Sequence, residues 1–176
     1  MRHVLSCTTI VIFLPCAMDV KKRKQTLRML SNGVYVLTSR SAGQYGAATV
    51  TWVAQASSKP PLLMVALRRD SNVFRCLAAS GSAALHIVGK GQREMARRFF
   101  YPTDAAVGAI NGEPLIESID IAPVLRNLPD HIQCRVDRII DTEGDHAVVI
   151  LAVTGARCRK NVRPLRLADT TWQYGG

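Results

Sequence analysis

Short apolar runs separated by turn residues are the feature that most constrains the fold of this chain. Two such runs cover residues 62–67 and 147–153, and residues 83–88, apolar except for His86, form a third segment; each has the length of a buried strand rather than of a helix. Residues 57–61, Ser-Ser-Lys-Pro-Pro, precede the first run, and neither proline can donate a hydrogen bond to a β-ladder. We therefore predict a break at residues 57–61, followed by a buried strand over residues 62–67.

The rest of the chain predicts further short strands and a few short helices. Further strands are expected over residues 34–38, 47–53 and 132–136, with turns at 42–46 and 142–145. Helices are expected over residues 21–30, 72–79 and 93–100, the second capped by Asp70 or Ser71. Residues 101–130 are typical of a long loop or of very short strands such as 115–116. Because strands and helices do not alternate regularly, we predict a mainly β fold, a closed or nearly closed barrel with short peripheral helices.

Length and composition favour one globular domain. A chain of 176 residues, 48% hydrophobic and 20% charged, is large enough to bury a core without disulfides or metals. We assign residues 18–176 to that domain. Residues 1–17 are expected to be a non-structural N-terminal extension, because Met18 looks like the natural start. The apolar run at residues 10–14 is too short to cross a bilayer, so no membrane association is expected.

The formal charge of +10 points to an anionic partner. The basic residues are scattered, with no helix-turn-helix, zinc-finger or RNP pattern between them, so nucleic-acid binding is not expected. A basic binding module built on residues 21–24 stays an alternative. The five cysteines contain no Cys-x-x-Cys pair, which indicates neither a disulfide framework nor a zinc site. We expect reduced, mostly buried thiols, a cytoplasmic location and no metal.

Several polar blocks occur in a characteristic order. Residues 47–52, Ala-Ala-Thr-Val-Thr-Trp, are followed by Gln-Ala-Ser-Ser-Lys-Pro-Pro at 55–61, then by the apolar run 62–67 and by Arg-Arg-Asp-Ser-Asn at 68–72. Near the other end, Glu-Gly-Asp-His at 143–146 precedes an apolar strand. From about residue 26 to the C-terminus, this order resembles the flavin reductase-like, FMN-binding split-barrel family. The resemblance implies a split β-barrel of Greek-key type.

The resemblance also implies an activity and partners. Members of the family act as NAD(P)H-dependent flavin oxidoreductases, so FMN is expected as the cofactor and NADH or NADPH as the electron donor. A homodimer is expected, and so is a partner monooxygenase or another electron-acceptor protein. The alternative is a noncatalytic FMN-binding protein that exchanges electrons with another protein.

Individual site residues are carried over from the same resemblance. The residues expected to bind FMN are Thr49, Val50, Thr51, Trp52, Gln55, Ser57, Lys59, Ala66, Leu67, Arg68, Ser71, Asn72 and Phe99. Arg68, Ser71 and Asn72 lie where a helix begins, and the free N–H groups there favour a phosphate. His146 is expected on the nicotinamide or substrate side of the flavin.

Each of these residues also has a plain structural interpretation. Thr49 and Thr51 are compatible with ordinary strand positions. Lys59 and Arg69 are compatible with solvated charges, and Phe99 with a core residue on an apolar helix face. A lone histidine in a turn, such as His146, is usually a polar surface residue. The sequence leaves these alternatives open.

Overall fold

The protein was analysed as a computed structural model that describes residues 19–116 and 122–175. The extension predicted over residues 1–17 lies outside the described residues. The strands are β1 (Tyr35–Ser41), β2 (Gln44–Val50), β3 (Val53–Ser58), β4 (Pro61–Arg68), β5 (Ser82–Ile87), β6 (Ala105–Ala106), β7 (Ala109–Ile110), β8 (Glu113–Ile116), β9 (Val124–Leu125), β10 (His131–Ile140) and β11 (His146–Arg157). The α-helices are α1 (Val20–Leu27), α2 (Asn72–Ser80) and α3 (Arg93–Arg98).

Seven strands form one antiparallel sheet in the order β2-β1-β5-β10-β11-β4-β3. Its edge strands, β2 and β3, are separated in the chain only by Thr51 and Trp52. Because so short a connection spans at most about 10 Å, the sheet must curl until its two edges approach each other at this corner. The edges do not pair, so the barrel stays open. The predicted mainly β split barrel with short helices is confirmed.

The barrel interior is filled by alternate residues of β4 and β11. Leu63, Val65 and Leu67 of β4 are buried beside Val149 and Leu151 of β11, and every second residue faces the other way. This alternation is the period-2 pattern of a sheet with one face on a core. Helix α2 adds its buried side chains to the same cluster, so it closes one end of the interior.

A second core lies under the small sheet of order β6-β7-β8-β9. Phe99, Ile110 and Leu125 are buried there together with Val36 of the large sheet. Residues 101–130 therefore contain short strands. The very short strand predicted at residues 115–116 lies within β8. The buried carboxylate of Glu113 accepts hydrogen bonds from Arg98 and Asn127, which fixes α3 against this region.

Two predicted boundaries are wrong around the barrel corner. A continuous strand over 47–53 is not formed, because β2 ends at Val50 and the chain crosses to the other sheet edge before β3 begins. The predicted break at residues 57–61 is much shorter, since β3 continues to Ser58 and β4 begins at Pro61. Proline is tolerated at the first position of a strand, where its missing N–H costs little.

Two helices are shorter than the sequence predicts. Helix α1 ends at Leu27 because the amides of Met29 and Leu30 bond the carbonyls three residues back, which tightens the last turn. Helix α3 ends at Arg98, and Phe99 and Phe100 close it with the same kind of bond. Helix α2 confirms Ser71 as its N-cap, since the Ser71 hydroxyl accepts from the Phe74 amide at 3.3 Å.

The described residues divide into two compact units. One contains residues 19–30 and 174–175, in which Arg28 Nε donates to the carbonyl of Gly175 at 3.1 Å. The other, Ser31–Gln173, contains both sheets and the helices α2 and α3. Among the residues that the structure describes, no helix is long and apolar enough to cross a membrane.

Candidate active site

Four of the predicted site residues meet on the outer face of the large sheet. Arg68 ends β4 directly opposite His146, the first residue of β11. The amide of Ala66, two residues before Arg68, donates to the carbonyl of Trp52 at 3.0 Å. Side chains two residues apart share a face of a strand. The outer face at the end of β4 therefore carries Trp52, Ala66, Arg68 and His146 together. Their side chains point away from the buried core.

The imidazole of His146 is held between an aromatic ring and a carboxylate. Its ring centroid lies 4.6 Å from that of Trp52, with the planes tilted by 42°. Its Nδ1 lies 2.7 Å from Oδ1 of Asp145, and the His146 side chain is 12% exposed. Because an ionised carboxylate only accepts hydrogen bonds, Nδ1 carries a proton. The hydrogen bond with His146 lowers the pKa of Asp145, which keeps this acceptor charged.

Arg68 stands beside the start of α2 with its side chain 58% exposed. Its guanidinium bonds both oxygens of Asp70, at 3.0 Å through Nε and 2.5 Å through a terminal nitrogen, and this lowers the pKa of Asp70. The Ser71 hydroxyl donates to the carbonyl of Arg68 at 2.6 Å. An arginine and the N–H groups of a helix start thus occur side by side, next to exposed Asn72.

The hydroxyls of Thr49 and Thr51 differ in their hydrogen bonding, although both residues belong to the polar segment 47–52. The Thr49 hydroxyl donates to the carbonyl of Ala96 at 2.6 Å, and its amide donates to the carbonyl of Phe99 at 3.1 Å. The Thr51 hydroxyl is buried without a hydrogen-bond partner among the described residues. An unsatisfied buried hydroxyl destabilises a fold by about 1–3 kcal/mol. Thr51 therefore presents a buried polar group that no described residue satisfies.

Four other predicted contacts offer only their backbone or lie in the core. Val50 and Leu67 point into the barrel interior, 7% and 3% exposed. Phe99 is 2% exposed within the second core, in agreement with its plain interpretation as a core residue. The side chain of Thr49 is already bonded to α3.

Gln55, Ser57 and Lys59 lie towards the other end of β4. Ser57 is paired with Leu62, six residues before Arg68. At about 3.3 Å per residue, this separates Ser57 from Arg68 by about 20 Å along the strand. Gln55 and Lys59 are exposed and Ser57 is half-buried. A single phosphate cannot contact both ends, although a long ligand lying along the strand can reach both.

The expectation that Arg69 is a solvated charge is wrong. Its guanidinium forms an ion pair with Asp141 and donates to the carbonyl of Thr142, and its Nε is buried. The Arg69 amide also donates to the carbonyl of Asp145 at 3.2 Å. No sequence pattern could indicate these contacts, because Arg69 and Thr142 are separated by 73 positions.

A cleft of about 500 Å³ lies apart from these residues, lined by Lys90, Gly91, Arg93, Glu94, Leu165 and Asp169. Lys90 and Asp169 form an ion pair across it at 3.0 Å. Arg166 also bonds Asp169, and these two cations lower the pKa of that carboxyl. None of the predicted site residues lines this cleft.

The assembled geometry suits a flat, anionic, hydrogen-bonding ligand. Trp52 supplies an aromatic surface beside the small side chain of Ala66, and Thr51 supplies an unsatisfied hydroxyl. Arg68 and the start of α2 supply positive potential at the same end of the sheet. The described residues contain no cluster of three or more His, Cys, Asp or Glu side chains arranged for a metal ion.

Comparison with known proteins agrees with this chemistry. A family model described as flavin reductase-like domain matches residues 27–175. The flavin reductase (NADH) of Kitasatospora aureofaciens is 33% identical over 135 residues, covering 76% of this chain and 69% of that protein. The NADH:FMN oxidoreductase of Rhodococcus qingshengii is 31% identical over 140 residues, covering 79% and 69%.

Solved structures share the fold. A flavin reductase domain protein from Arthrobacter sp. FB24 has a TM-score of 0.72 at 22% identity, over 83% of this chain and 89% of that one. The NADH:FAD oxidoreductase of Streptomyces globisporus C-1027, in complex with NAD and FAD fragments, gives 0.70 at 23%, over 84% and 89%. The styrene monooxygenase flavin reductase of Pseudomonas putida S12 gives 0.68 at 20%, over 81% and 89%.

Proposed function

Because the chain belongs to the flavin reductase-like family, we propose that this NAD(P)H-dependent flavin oxidoreductase uses FMN as its flavin and NADH as its donor. The names of the relatives from Kitasatospora and Rhodococcus support NADH, and the latter supports FMN. The observation that carries the proposal is the grouping of Trp52, Ala66, Arg68 and His146 at one end of the sheet.

The residues at this end fit the flavin ring. A flavin presents donors and acceptors along one edge, and the Thr51 hydroxyl has no partner among the described residues. Trp52 offers an aromatic surface, and the neighbouring Ala66 has a small, partly exposed side chain. Thr49, Val50 and Leu67 would contribute through their backbones, because their side chains are bonded or buried.

The phosphate of FMN would bind at Arg68 and at the start of α2. A guanidinium binds phosphate oxygens in a bidentate manner, and the first N–H groups of a helix attract an anion. Ser71 and Asn72 begin this helix, and Arg68 is exposed beside them. Gln55, Ser57 and Lys59 lie about 20 Å away along β4, so they would reach other parts of a long ligand.

His146 would orient the nicotinamide. A bound flavin would supply the hydride acceptor, so the chain would not need to provide a proton donor for that transfer. Orientation is then what the chain contributes. His146 stands on the Trp52 side, fixed by Asp145, and so offers a rigid polar edge next to the flat ring of Trp52.

Flavin titration followed by anaerobic reduction tests the proposal. Quenching of flavin fluorescence should show tighter binding of FMN than of riboflavin or FAD. Addition of NADH to the FMN-loaded protein without oxygen should bleach the flavin absorbance, and NADPH should do so more slowly. An FMN-loaded protein that neither nucleotide bleaches would contradict the reductase activity. Tighter binding of FAD would contradict the choice of FMN.

Two matched variants test the phosphate position. Arg68→Gln should weaken FMN binding by about tenfold, as expected when one charge-assisted contact is lost. It should leave riboflavin binding unchanged, because riboflavin has no phosphate. Lys59→Gln removes one exposed charge at the far end of β4 and provides the matched comparison between the two ends of the strand. A larger loss of FMN affinity in Lys59→Gln than in Arg68→Gln would place the phosphate at the Lys59 end of β4 instead.

A homodimer is part of the proposal. The outer face of β4 and β11 carries a ladder of partly exposed apolar side chains, namely Leu62, Met64, Ala66, Val148, Ile150 and Ala152. This ladder continues to the Trp52 site, so a second copy would cover apolar surface next to the flavin. Light scattering should give twice the chain mass, and Ile150→Asp should reduce it to the chain mass. A wild-type protein at the chain mass would contradict the dimer.

The electrons would pass to a separate acceptor. We assign the protein to the cytoplasm, where reduced nicotinamides and free thiols such as Cys76, Cys134 and Cys158 are found. A monooxygenase or another electron-acceptor protein would take up the reduced flavin. The structural neighbour from Pseudomonas putida S12 is named as the flavin reductase of a styrene monooxygenase. Turnover of free FMN in large excess over the enzyme would support flavin release.

A further inference from the structure

The turn between β10 and β11 is attached to the end of β4 by Arg69. The guanidinium of Arg69 contacts the carboxylate of Asp141 and the carbonyl of Thr142. The amide of the same residue donates to the carbonyl of Asp145 at 3.2 Å. One residue therefore contacts both the beginning and the end of this turn.

The turn has few other means of holding its shape. Residues 141–145 are all exposed, and one of them is a glycine. A segment that buries no apolar side chain depends on polar contacts for a fixed conformation. The exposed ion pair alone contributes little in water. The contact with the Thr142 carbonyl fixes the backbone, however, and the Nε of Arg69 is buried although the side chain as a whole stays 35% exposed.

The contacts continue from the turn to His146. The Thr142 hydroxyl donates to the carbonyl of His146. The carboxylate of Asp145 accepts from Nδ1 of His146 at 2.7 Å. A displacement of Thr142 or Asp145 would therefore move the imidazole away from Trp52. We propose that Arg69 is a positioning residue for the nicotinamide, which fixes the 141–145 turn and through it the ring of His146.

The charge of Arg69 acts in the same direction. The turn carries three carboxylates, Asp141, Glu143 and Asp145, next to the place where an anionic dinucleotide would arrive. Arg69 forms an ion pair with Asp141, and the hydrogen bond with His146, with a smaller contribution from Arg68, lowers the pKa of Asp145. Loss of Arg69 would leave the turn both looser and more negative, and both changes weaken the binding of NADH. This inference rests on the proposed role of His146.

Arg69→Gln isolates the side chain, because the backbone bond to Asp145 is kept. We expect the KM for NADH to rise by about tenfold, within the range expected for a small misplacement of a positioning group. FMN affinity should be unchanged. Arg69→Lys should restore part of the loss through the ion pair with Asp141. Arg97 is an exposed arginine of α3 outside the site, and Arg97→Gln is the matched control. Its KM for NADH and its FMN affinity should equal those of wild type.

A spectroscopic readout separates positioning from a general loss of structure. In a Trp172→Phe background, the emission of Trp52 reports its contact with His146 in the flavin-free protein. Arg69→Gln should shift this emission in the same direction as His146→Gln, and Arg69→Lys should restore it. Unchanged Trp52 emission in Arg69→Gln would overturn the inference.

A double variant distinguishes failure of the inference from failure of the proposed function. If Arg69 acts through His146, Arg69→Gln should have no further effect on KM in the His146→Gln protein. Equal effects of Arg69→Gln with and without His146 would overturn the positioning role. A His146→Gln protein with wild-type reduction kinetics would instead contradict the proposed role of His146 itself. Thermal melting of each variant shows whether it has folded.

Discussion

The two faces of β4 and β11 differ in composition although they alternate along the same strands. The inner face consists of apolar side chains that are almost fully buried, such as Val65 and Leu151. The outer face carries apolar residues that stay partly exposed and ends in Arg68 and His146. The inner face stabilises the barrel, and the outer face can change without unfolding it. The two faces should therefore respond differently to substitution.

The largest expected effect is on stability, from the inner face. Leu151→Ala removes a side chain that is 1% exposed, and we expect a loss of about 2–5 kcal/mol in the free energy of unfolding. Urea denaturation measures it, with Thr154→Ala, an exposed site in the same strand, as the control. FMN affinity of the folded fraction should not change. A weakened FMN affinity in Leu151→Ala would show that the two faces are not independent.

The free energy of unfolding should depend on pH through a buried histidine, His86, in contrast to the exposed residues of the outer face. Burial lowers the pKa of His86 from 6.5 to about 3, so the imidazole of His86 is neutral in the folded state. The unfolded chain takes up a proton below pH 6.5 and the folded chain does not. Stability from His86 is thus complete above that pH and declines towards pH 3, by at most about 1.4 kcal/mol per pH unit.

His86→Gln tests this dependence. The variant should show a flatter pH profile of unfolding free energy between about pH 6.5 and pH 4 than wild type does. The neighbouring ring of His131, with its centroid 5.8 Å away, is kept in both proteins. Equal slopes in the two proteins would mean that His86 is not neutral in the fold.

On the outer face, His146→Gln should separate catalysis from flavin binding. We expect anaerobic reduction of bound FMN by NADH to slow by about 10- to 100-fold, because the nicotinamide loses an orienting contact. FMN affinity should be close to wild type. Stopped-flow absorbance measures the rate. A large loss of FMN affinity would place His146 against the flavin itself instead.

The smallest expected effect concerns the unpaired hydroxyl of Thr51. Thr51→Val keeps the shape and removes the hydroxyl, so the flavin-free protein should be as stable as wild type or more stable. FMN affinity should fall by about five- to tenfold, the value of one hydrogen bond. Thr51→Ser should restore binding. Unchanged FMN affinity in Thr51→Val would mean that the hydroxyl serves no ligand.

Much of the fold could be predicted from the sequence because the strands are locally encoded. The apolar runs and their alternation predict β4, β5 and β11, and a cap residue predicts the start of α2. The corner at Thr51 and Trp52 could not be predicted, because it depends on the sheet curling until distant edges approach. The role of Arg69 was missed for the same reason, since its partners lie on a turn far along the chain.

The candidate site was predicted in outline but not in its arrangement. Blocks of sequence indicated Arg68 and His146, and pairing of β4 with β11 places them opposite each other. Periodicity could not show that the Thr49 hydroxyl is bonded to α3 while the Thr51 hydroxyl finds no partner in residues 19–116 and 122–175. Nor could it show that Ser57 and Arg68 lie at opposite ends of one strand.

The resonance of the Trp52 indole N–H during titration with FMN tests the central claim most directly. The protein contains two tryptophans, so Trp52→Phe is enough to assign the signal. If FMN binds on the outer face beside Trp52, this resonance should shift progressively and saturate together with the quenching of flavin fluorescence. Saturable FMN binding that leaves the Trp52 resonance unmoved would place the flavin elsewhere and contradict the account.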